Sequence, residues 1–280
     1  MFSVKAPQVE LIGKTLRVVK KYSLNTVCEE SLCPNVGECF SKGTATFLIL
    51  GSLCTRACKY CHVFTGKPQP PDPSEPVRLY YAVKELGLKH VVITSVDRDD
   101  LPDYGAEHYK RCVEFLKSRD STLKVEVLTP DFQGLETSLE KVVDSRPHIL
   151  SHNIETVESV FKEVRPQGDY RRSLRVLKFY SESKVAPVKS GIMLGFGEGW
   201  EEILKTMEDL KKAGVSILVI GQYLRPSLKH YPVKRLYSEE EFKRLEEVAL
   251  QMGFERVLSK PLARSSYHAE EITFNPTIGG

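Results

Sequence analysis

The sequence lacks the long apolar runs that a membrane or secreted protein needs. Its longest, Phe47-Leu48-Ile49-Leu50 and Ile217-Leu218-Val219-Ile220, are far shorter than the ~20 apolar residues that span a bilayer. The opening residues, MFSVKAPQVE, contain no apolar signal region, so a cytoplasmic chain is expected, with no membrane partner. Neither sign of charge dominates: 40 Lys and Arg stand against 37 Asp and Glu, for a formal charge of +3. Such a balance gives no nucleic-acid footprint. There is no sequence repeat, and no low-complexity tract beyond the proline-rich Pro68 to Pro73. A dinucleotide fingerprint is also missing. Gly195-Phe196-Gly197-Glu198-Gly199 has GxG without GxGxxG and comes late in the chain, so it reads as a turn through which backbone approaches a ligand.

What the chain does have is cysteine in an unusual distribution. Six of its seven cysteines lie between positions 28 and 61, as Cys28-x4-Cys33-x5-Cys39 and Cys54-x3-Cys58-x2-Cys61. A disulfide framework needs an oxidising compartment, and nothing in the sequence supplies one. Zinc prefers four ligands in CxxC-type pairs, whereas only Cys58 and Cys61 have that spacing and six thiolates suit one zinc poorly. Iron–sulfur clusters are the third reading. Three thiolates bind three irons of a [4Fe–4S] cube and leave the fourth open to a small molecule or a weaker ligand, so two triplets mean two cubes. The second triplet follows Phe47 to Leu50, which reads as a buried strand. Cys112, alone in Tyr109 to Leu116, reads as a small buried hydrophobe on a helix.

With 280 residues, 41% of them hydrophobic, the chain suits an α/β barrel. Strand-length apolar runs begin near Phe47, Val91, Val125, Ile149, Val188 and Ile217, and helical patterns lie between them, as in Glu201 to Ala213 and Glu239 to Met252. Pro73-Ser74-Glu75-Pro76 reads as a helix opening. About six strand–helix units between Thr46 and Met252 predict parallel strands with helical crossovers, in a partial (β/α)6 TIM-like barrel. The expected organisation is an N-terminal extension over 1–45 with the first cysteine triplet, the barrel over 46–252, and a C-terminal extension over 253–280. Polar groups follow successive strands: Thr94-Ser95-Val96-Asp97, Thr129-Pro130-Asp131, His152-Asn153-Ile154-Glu155, Gly195 to Glu198, and Gln222 to Arg225. Singly each suits a capped loop. Together, at the same ends of their strands, they suit a polar cavity above a barrel.

Cys54-Thr55-Arg56-Ala57-Cys58-Lys59-Tyr60-Cys61 resembles the CxxxCxΦC loop of radical S-adenosylmethionine (SAM) enzymes. With Cys28-x4-Cys33-x5-Cys39 upstream and Arg264-Ser265-Ser266-Tyr267-His268-Ala269 downstream, the chain resembles the lipoyl synthase family. Thr94 to Leu101, His152 to Val157 and Ile220 to Ser227 match as well, and the likeness runs from about Lys20 to Ala269. The sequence departs from the family at His62, at Lys260-Pro261 where Gly-Pro is commoner, and at Ala263 where Val is commoner.

The resemblance implies two [4Fe–4S] clusters and SAM as co-substrate. Cys54, Cys58 and Cys61 would hold the cluster whose open iron takes SAM, which is cleaved to methionine and a 5′-deoxyadenosyl radical. Cys28, Cys33 and Cys39 would hold an auxiliary cluster, with Ser266 on its fourth iron, that donates sulfur to C6 and C8 of an octanoyl group on a lysine of a lipoyl carrier domain or H protein. The choice of Ser266 over Ser265 comes from the family match; spacing does not separate them. A serine oxygen is a harder ligand than thiolate and suits a releasable corner. An unactivated C–H bond has no acidic proton, so no Ser/His/Asp triad or carboxylate pair is nominated. Thr94, Ser95, Asn153, Glu155 and Arg165 are the expected SAM contacts, and Tyr60 is expected beside the adenine or simply packed in its loop. A flavodoxin or ferredoxin reductant and a monomeric chain are expected, and Arg165, Arg171, Arg172, Arg175 and Lys178 either meet an acidic carrier or form a solvated face. Two other readings stay in view: another radical SAM sulfurtransferase or maturase with an auxiliary cluster, and a non-enzymatic iron–sulfur carrier or scaffold.

Overall fold

A computed structural model describes residues 9–41, 45–267 and 269. The opening residues 1–8, His268 in the downstream motif and the tail 270–280 lie outside the described residues. The chain forms two compact units, Met1–Arg56 with His62–Ile149, and Ala57–Cys61 with Leu150–Gly280.

The first unit begins with α1 (Val9–Lys21), β1 (Asn25–Thr26), α2 (Val27–Glu30) and α3 (Val36–Ser41), and continues through β2 (Thr46–Ile49), α4 (Glu75–Leu86), β3 (His90–Ser95), α5 (Ala106–Arg119), β4 (Lys124–Leu128) and α6 (Glu136–Asp144). β1 lies antiparallel to β2, while β2, β3 and β4 run parallel, with Thr46 opposite Val92 and His90 opposite Lys124. Every residue of β2 is buried, as the apolar run predicts for a parallel strand covered by helices. α1 rests its buried Val18 and Val19 on this framework. The Thr15 hydroxyl donates to the Phe40 carbonyl at 2.9 Å, and Arg78 Nε donates to the Tyr22 carbonyl at 2.9 Å, tying the lead-in helix to α3 and α4. α4 opens at Ser74 with proline in its first turn and stops at Gly87 in the left-handed region, matching the expected helix start. Cys112 is fully buried on α5, as a small hydrophobe.

The second unit takes up the chain within β5 (Ile149–Ser151) at Leu150 and contains α7 (Glu158–Val164), α8 (Tyr170–Ser183), β6 (Val188–Leu194), α9 (Trp200–Lys212), β7 (Ile217–Gln222), α10 (Glu239–Gln251) and β8 (Arg256–Ser259). Its strands are parallel and paired in sequence order, Leu150 opposite Val188, Lys189 opposite Ile217, and Ile217 opposite Arg256. Ser238 and Glu241 cap α10 reciprocally, the Glu241 N–H donating to the Ser238 hydroxyl at 3.2 Å and the Ser238 N–H to the Glu241 carboxylate at 2.9 Å. The strand–helix repeats from β2 to α10 follow the alternation read from the sequence. β1 and β8 were not foreseen: two residues carry no periodicity, and Arg256 to Ser259 is only half-buried along most of its length. Among the described residues no helix is long and apolar enough to cross a membrane.

The exit of β2 is fixed from both sides. The Glu75 carboxylate accepts the Leu50 N–H at 3.0 Å and meets His108 Nε2 at 2.6 Å, while Arg98 donates to the Leu50 carbonyl at 3.2 Å. Leu50 itself sits at φ +68°, a left-handed turn that leads the chain out of β2 toward the second cysteine triplet. Glu75→Ala is therefore expected to destabilise the protein by about 1–3 kcal/mol for each of the two groups left without that acceptor, measured by chemical denaturation. Glu75→Gln, which keeps one acceptor oxygen, is expected to cost less.

Candidate functional site

The first triplet is built by short helices. Thr26 caps α2 by accepting the Glu29 N–H at 3.3 Å, and Cys28 lies buried in that turn. The Cys33 N–H donates to the Cys28 carbonyl at 3.1 Å, the Val36 N–H to the Cys33 carbonyl at 3.2 Å, and the Cys39 N–H to the Asn35 carbonyl at 2.9 Å. None of the three is joined in a disulfide. Burial pushes the Cys28 thiol up to about 11. His62, a departure from the family pattern, places Nδ1 3.1 Å from the Glu30 carbonyl, so its Nδ1–H tautomer braces the end of the helix that carries Cys28.

The second triplet lies on the loop that leaves β2. Its first cysteine belongs to the first unit. The Cys54 N–H donates to the Phe64 carbonyl at 2.8 Å, and the Gly66 N–H to the Cys54 carbonyl at 2.9 Å. The Arg56 N–H points at Cys54 Sγ at 3.4 Å, a hydrogen bond of the kind that stabilises a thiolate ligand. The Arg56 side chain is almost fully buried and gathers three carboxylates. It is bidentate to Asp99 (Nε 2.7 Å, Nη2 2.8 Å), donates from Nη2 to Asp131 at 2.7 Å, and pairs through Nη1 with Asp97 at 3.1 Å. Thr55 locks the same turn, its hydroxyl donating to the Asp97 carbonyl at 2.9 Å and accepting the Asp99 N–H at 3.0 Å. Asp97 and Asp131 were read from the sequence only as polar strand ends; a lone arginine among spacer residues gave no signal that it would gather them.

The other two cysteines belong to the second unit. The Lys59 N–H donates to the Val164 carbonyl and the Lys59 carbonyl accepts the Tyr231 N–H, both at 2.8 Å. Tyr60 packs edge-on to Phe196 at 6.2 Å, against an apolar cluster of Val164, Phe196, Tyr223 and Tyr231. Phe196 and Tyr223 stack at 4.3 Å. Tyr60 is thus packed by its own loop's surroundings, and burial holds its hydroxyl well above the usual phenol range, with Glu155 adding to the shift. The Gly195 turn, expected to approach a ligand, instead closes on the chain itself. The Glu198 carboxylate accepts the Gly195 and Phe196 N–H groups at 2.6 and 2.8 Å, and a Cβ on Gly195 would lie 2.3 Å from Gln222 Nε2.

The expected SAM contacts divide in the same way. In the first unit Thr94 and Ser95 complete β3 rather than following it, Thr94 buried and the Ser95 hydroxyl donating to the Val96 carbonyl at 2.8 Å. In the second unit Glu155 sits at φ +70°, its N–H on the Gly191 carbonyl at 3.1 Å and its carbonyl accepting the Met193 N–H at 2.8 Å. A non-glycine residue held in that region costs on the order of 1–3 kcal/mol and marks functional turns. Burial pushes its carboxyl up, against the pull of Arg165, a hydrogen bond with Asn153, and the charge of Arg264. Asn153, Glu155 and Arg165 are therefore neighbours. Of the basic face, Arg171 is bidentate to Glu158 at 2.8 and 2.7 Å and Lys178 lies 3.6 Å from Glu182, the pattern of a solvated helix surface.

The downstream motif reaches Asn153 directly. The Ser265 hydroxyl donates to Asn153 Oδ1 at 2.6 Å, while Ser266 is half-buried beside it. Two glycines admit this segment. A Cβ on Gly191 would lie 2.5 Å from Ser265 Oγ, and one on Gly221 would lie 2.1 Å from the Ala263 carbonyl oxygen. Both interrupt apolar strands, the usual signal of close backbone approach, and the sequence reading passed over them.

The donor set fits clusters: six cysteines outside any disulfide and an N–H directed at Cys54 Sγ. Among the described residues no three ligating side chains converge to hold a single metal ion; a cube takes its thiolates at separate corners and asks for no such convergence. In cluster-free protein at pH 8, limiting iodoacetamide is expected to label Cys33, Cys39, Cys54, Cys58 and Cys61 before Cys28 and Cys112, read by peptide mass spectrometry. Cys28 labelling as fast as Cys33 would contradict its burial.

Residues 48–210 match the model of the radical SAM superfamily. A protein named lipoyl synthase from Aquifex aeolicus is 54% identical over 256 residues, which are 91% of this chain and 93% of that one. A lipoyl synthase from Alkaliphilus metalliredigens is 53% identical over 91% of this chain and 88% of its own. Among solved structures, the FeFe-hydrogenase maturase HydG from Carboxydothermus hydrogenoformans superposes with a TM-score of 0.60 at 16% identity, over 75% of this chain and 52% of that one. Methylornithine synthase superposes with a TM-score of 0.59 at 14% identity, over 75% and 62%. At such identities the likeness is one of fold, the α/β partial barrel read from the strand–helix repeats.

Proposed function

The chain belongs to the lipoyl synthases of the radical SAM superfamily, and on that premise we propose that its residues carry out sulfur insertion at C6 and C8 of an octanoyl group borne on a carrier-protein lysine. The observation that carries this reading is identity above one half over nine-tenths of the chain and of its Aquifex relative. Two [4Fe–4S] clusters and SAM supply the chemistry when bound, a carbon radical that takes a hydrogen atom from an unactivated C–H bond and a source of sulfur.

Cys54, Cys58 and Cys61 are proposed as ligands of the SAM-binding cluster, and Cys28, Cys33, Cys39 and Ser266 as ligands of the auxiliary cluster. Ser265 gives its proton to Asn153, which supports Ser266 as the ligand of the pair. In the proposed organisation residues 1–45 and 253–280 bring the auxiliary ligands to a barrel spanning 46–252. Thr94, Ser95, Asn153, Glu155 and Arg165 are proposed to bind SAM. Glu155, with its backbone pinned on β6, suits ribose hydroxyls, and the Arg165 guanidinium suits a carboxylate. The octanoyl group arrives on a lipoyl carrier domain or H protein. A flavodoxin or ferredoxin is proposed as reductant, with the chain acting as a cytoplasmic monomer.

The full chain, reconstituted anaerobically with iron and sulfide, is expected to hold about eight irons as two cubes. With SAM, a reductant and an octanoyl-lysine peptide it is expected to yield 5′-deoxyadenosine and lipoyl product, read by mass spectrometry. 5′-Deoxyadenosine without sulfur insertion would retain the radical chemistry and overturn the substrate, leaving another sulfurtransferase or maturase. Neither product from protein with full iron would point to a carrier or scaffold. Ser266→Cys is expected to retain the auxiliary cluster and lose most lipoyl formation while 5′-deoxyadenosine persists; full lipoyl formation would dismiss the releasable-corner role.

A further inference from the structure

Arg56 stands two residues after Cys54, and its own backbone and its partner Asp97 both reach that sulfur. Its own N–H reaches Cys54 Sγ at 3.4 Å. Asp97, paired with its guanidinium at 3.1 Å, places its other carboxylate oxygen 3.9 Å from the same sulfur. Asp99 and Asp131 hold the remaining edges of the guanidinium. Gln133 stiffens the far side, its side-chain amide donating to Asp99 at 3.0 Å and its N–H to Asp131 at 3.1 Å. Thr65 closes the turn by donating to the Arg56 carbonyl at 2.9 Å.

Three carboxylates meet one guanidinium in a largely buried setting. A free loop cysteine needs no such apparatus. The three carboxylates come from the segments after β3 and β4, so the loop's geometry is dictated by rigid elements rather than by its own flexible backbone. Two consequences follow for a cluster ligand at Cys54. The sulfur is held in position through the backbone of Arg56, and the Asp97 carboxylate bears on it electrostatically. Negative charge beside a thiolate ligand disfavours adding an electron to the cluster and lowers its potential.

We propose that Arg56 and Asp97 are positioning residues for the SAM-binding cluster, Arg56 fixing Cys54 in the loop and Asp97 holding that cluster's reduction potential low. The inference rests on the assignment of Cys54, Cys58 and Cys61 to that cluster. Lysine at position 56 keeps the charge but not the planar fork that serves Asp99 and Asp131 together. Asparagine at position 97 keeps the shape and removes the charge.

The test uses the full chain reconstituted with both clusters, comparing wild type with Asp97→Asn, Arg56→Lys and Asp99→Asn. Readouts are iron content, the SAM-dependent change in the electron paramagnetic resonance spectrum of reduced protein, redox titration of the SAM-responsive signal, and melting temperature. In Asp97→Asn the midpoint potential is expected to rise and 5′-deoxyadenosine formation to fall about tenfold or more. Asp99→Asn is expected to move the potential less. Arg56→Lys is expected to lose iron from one cube while the auxiliary cube stays. Wild-type potential and spectrum in an iron-replete Asp97→Asn protein would overturn the proposal, as would equal loss of both clusters. If Arg56→Lys does not fold, Asp97→Asn alone decides. A wild-type protein that shows no SAM-dependent signal would instead reject the cluster assignment itself, a separate and recognisable failure.

Discussion

Arg56 carries its charge to 2% exposure, where a cation without partners would cost several kcal/mol. It is tolerated because Asp97, Asp99 and Asp131 converge on it with short, partly bidentate contacts. Removing one member of a buried ionic set typically costs about 3–5 kcal/mol, because the others are left uncompensated. The set therefore behaves as a single fastening rather than as four surface charges. It ties the chain just after Cys54 to the segments that follow β3 and β4. The same end of this unit is where β2 releases the chain at Leu50, between the Glu75 carboxylate and the Arg98 guanidinium. The loop's first half is thus specified chiefly by charge and hydrogen bonding.

The second half of the loop is specified differently. Around Lys59 and Tyr60 the fastening is two backbone hydrogen bonds and a stack of aromatic rings. Ring packing is tolerant of charge state and solvent ions, whereas a carboxylate–guanidinium set is directional and sensitive to any change of fork geometry. The three cysteines of one short motif consequently rest on two kinds of physics. Substitutions in the first half are expected to disturb charge and stability together, those in the second half packing.

Much of the architecture was legible in the sequence because it is periodic. Alternating apolar strands and amphipathic helices announced β2 to α10, and Pro76 and Ser74 marked the start of α4. The cysteine triplets were legible because chemistry requires them at short spacing. What was not legible shares one property: it depends on residues far apart in sequence meeting in space. Arg56 looks like a spacer until Asp131, 75 positions away, is placed against it. His62 looks like a misfit until the Glu30 carbonyl is beside it. Ser265 and Ser266 are indistinguishable by spacing, and the bond from the Ser265 hydroxyl to Asn153, 112 residues upstream, has no signature in the sequence. The edge-on packing of Tyr60 against Phe196, 136 residues away, is equally invisible in the sequence.

Gly191 and Gly221 make the placement of the downstream motif conditional on order of assembly. The groove that receives Ala263 and Ser265 is nothing but the absence of two methyl groups on adjacent, paired strands. Before β6 and β7 have paired there is no groove, so residues 260 to 265 have no local structure to nucleate on and dock only onto a finished platform. During synthesis this segment also emerges after both strands. The serine proposed as a cluster ligand is therefore among the last parts of its unit to find its place. Apo-protein is accordingly expected to pass through a state with its strands formed and its final ligand still outside the fold.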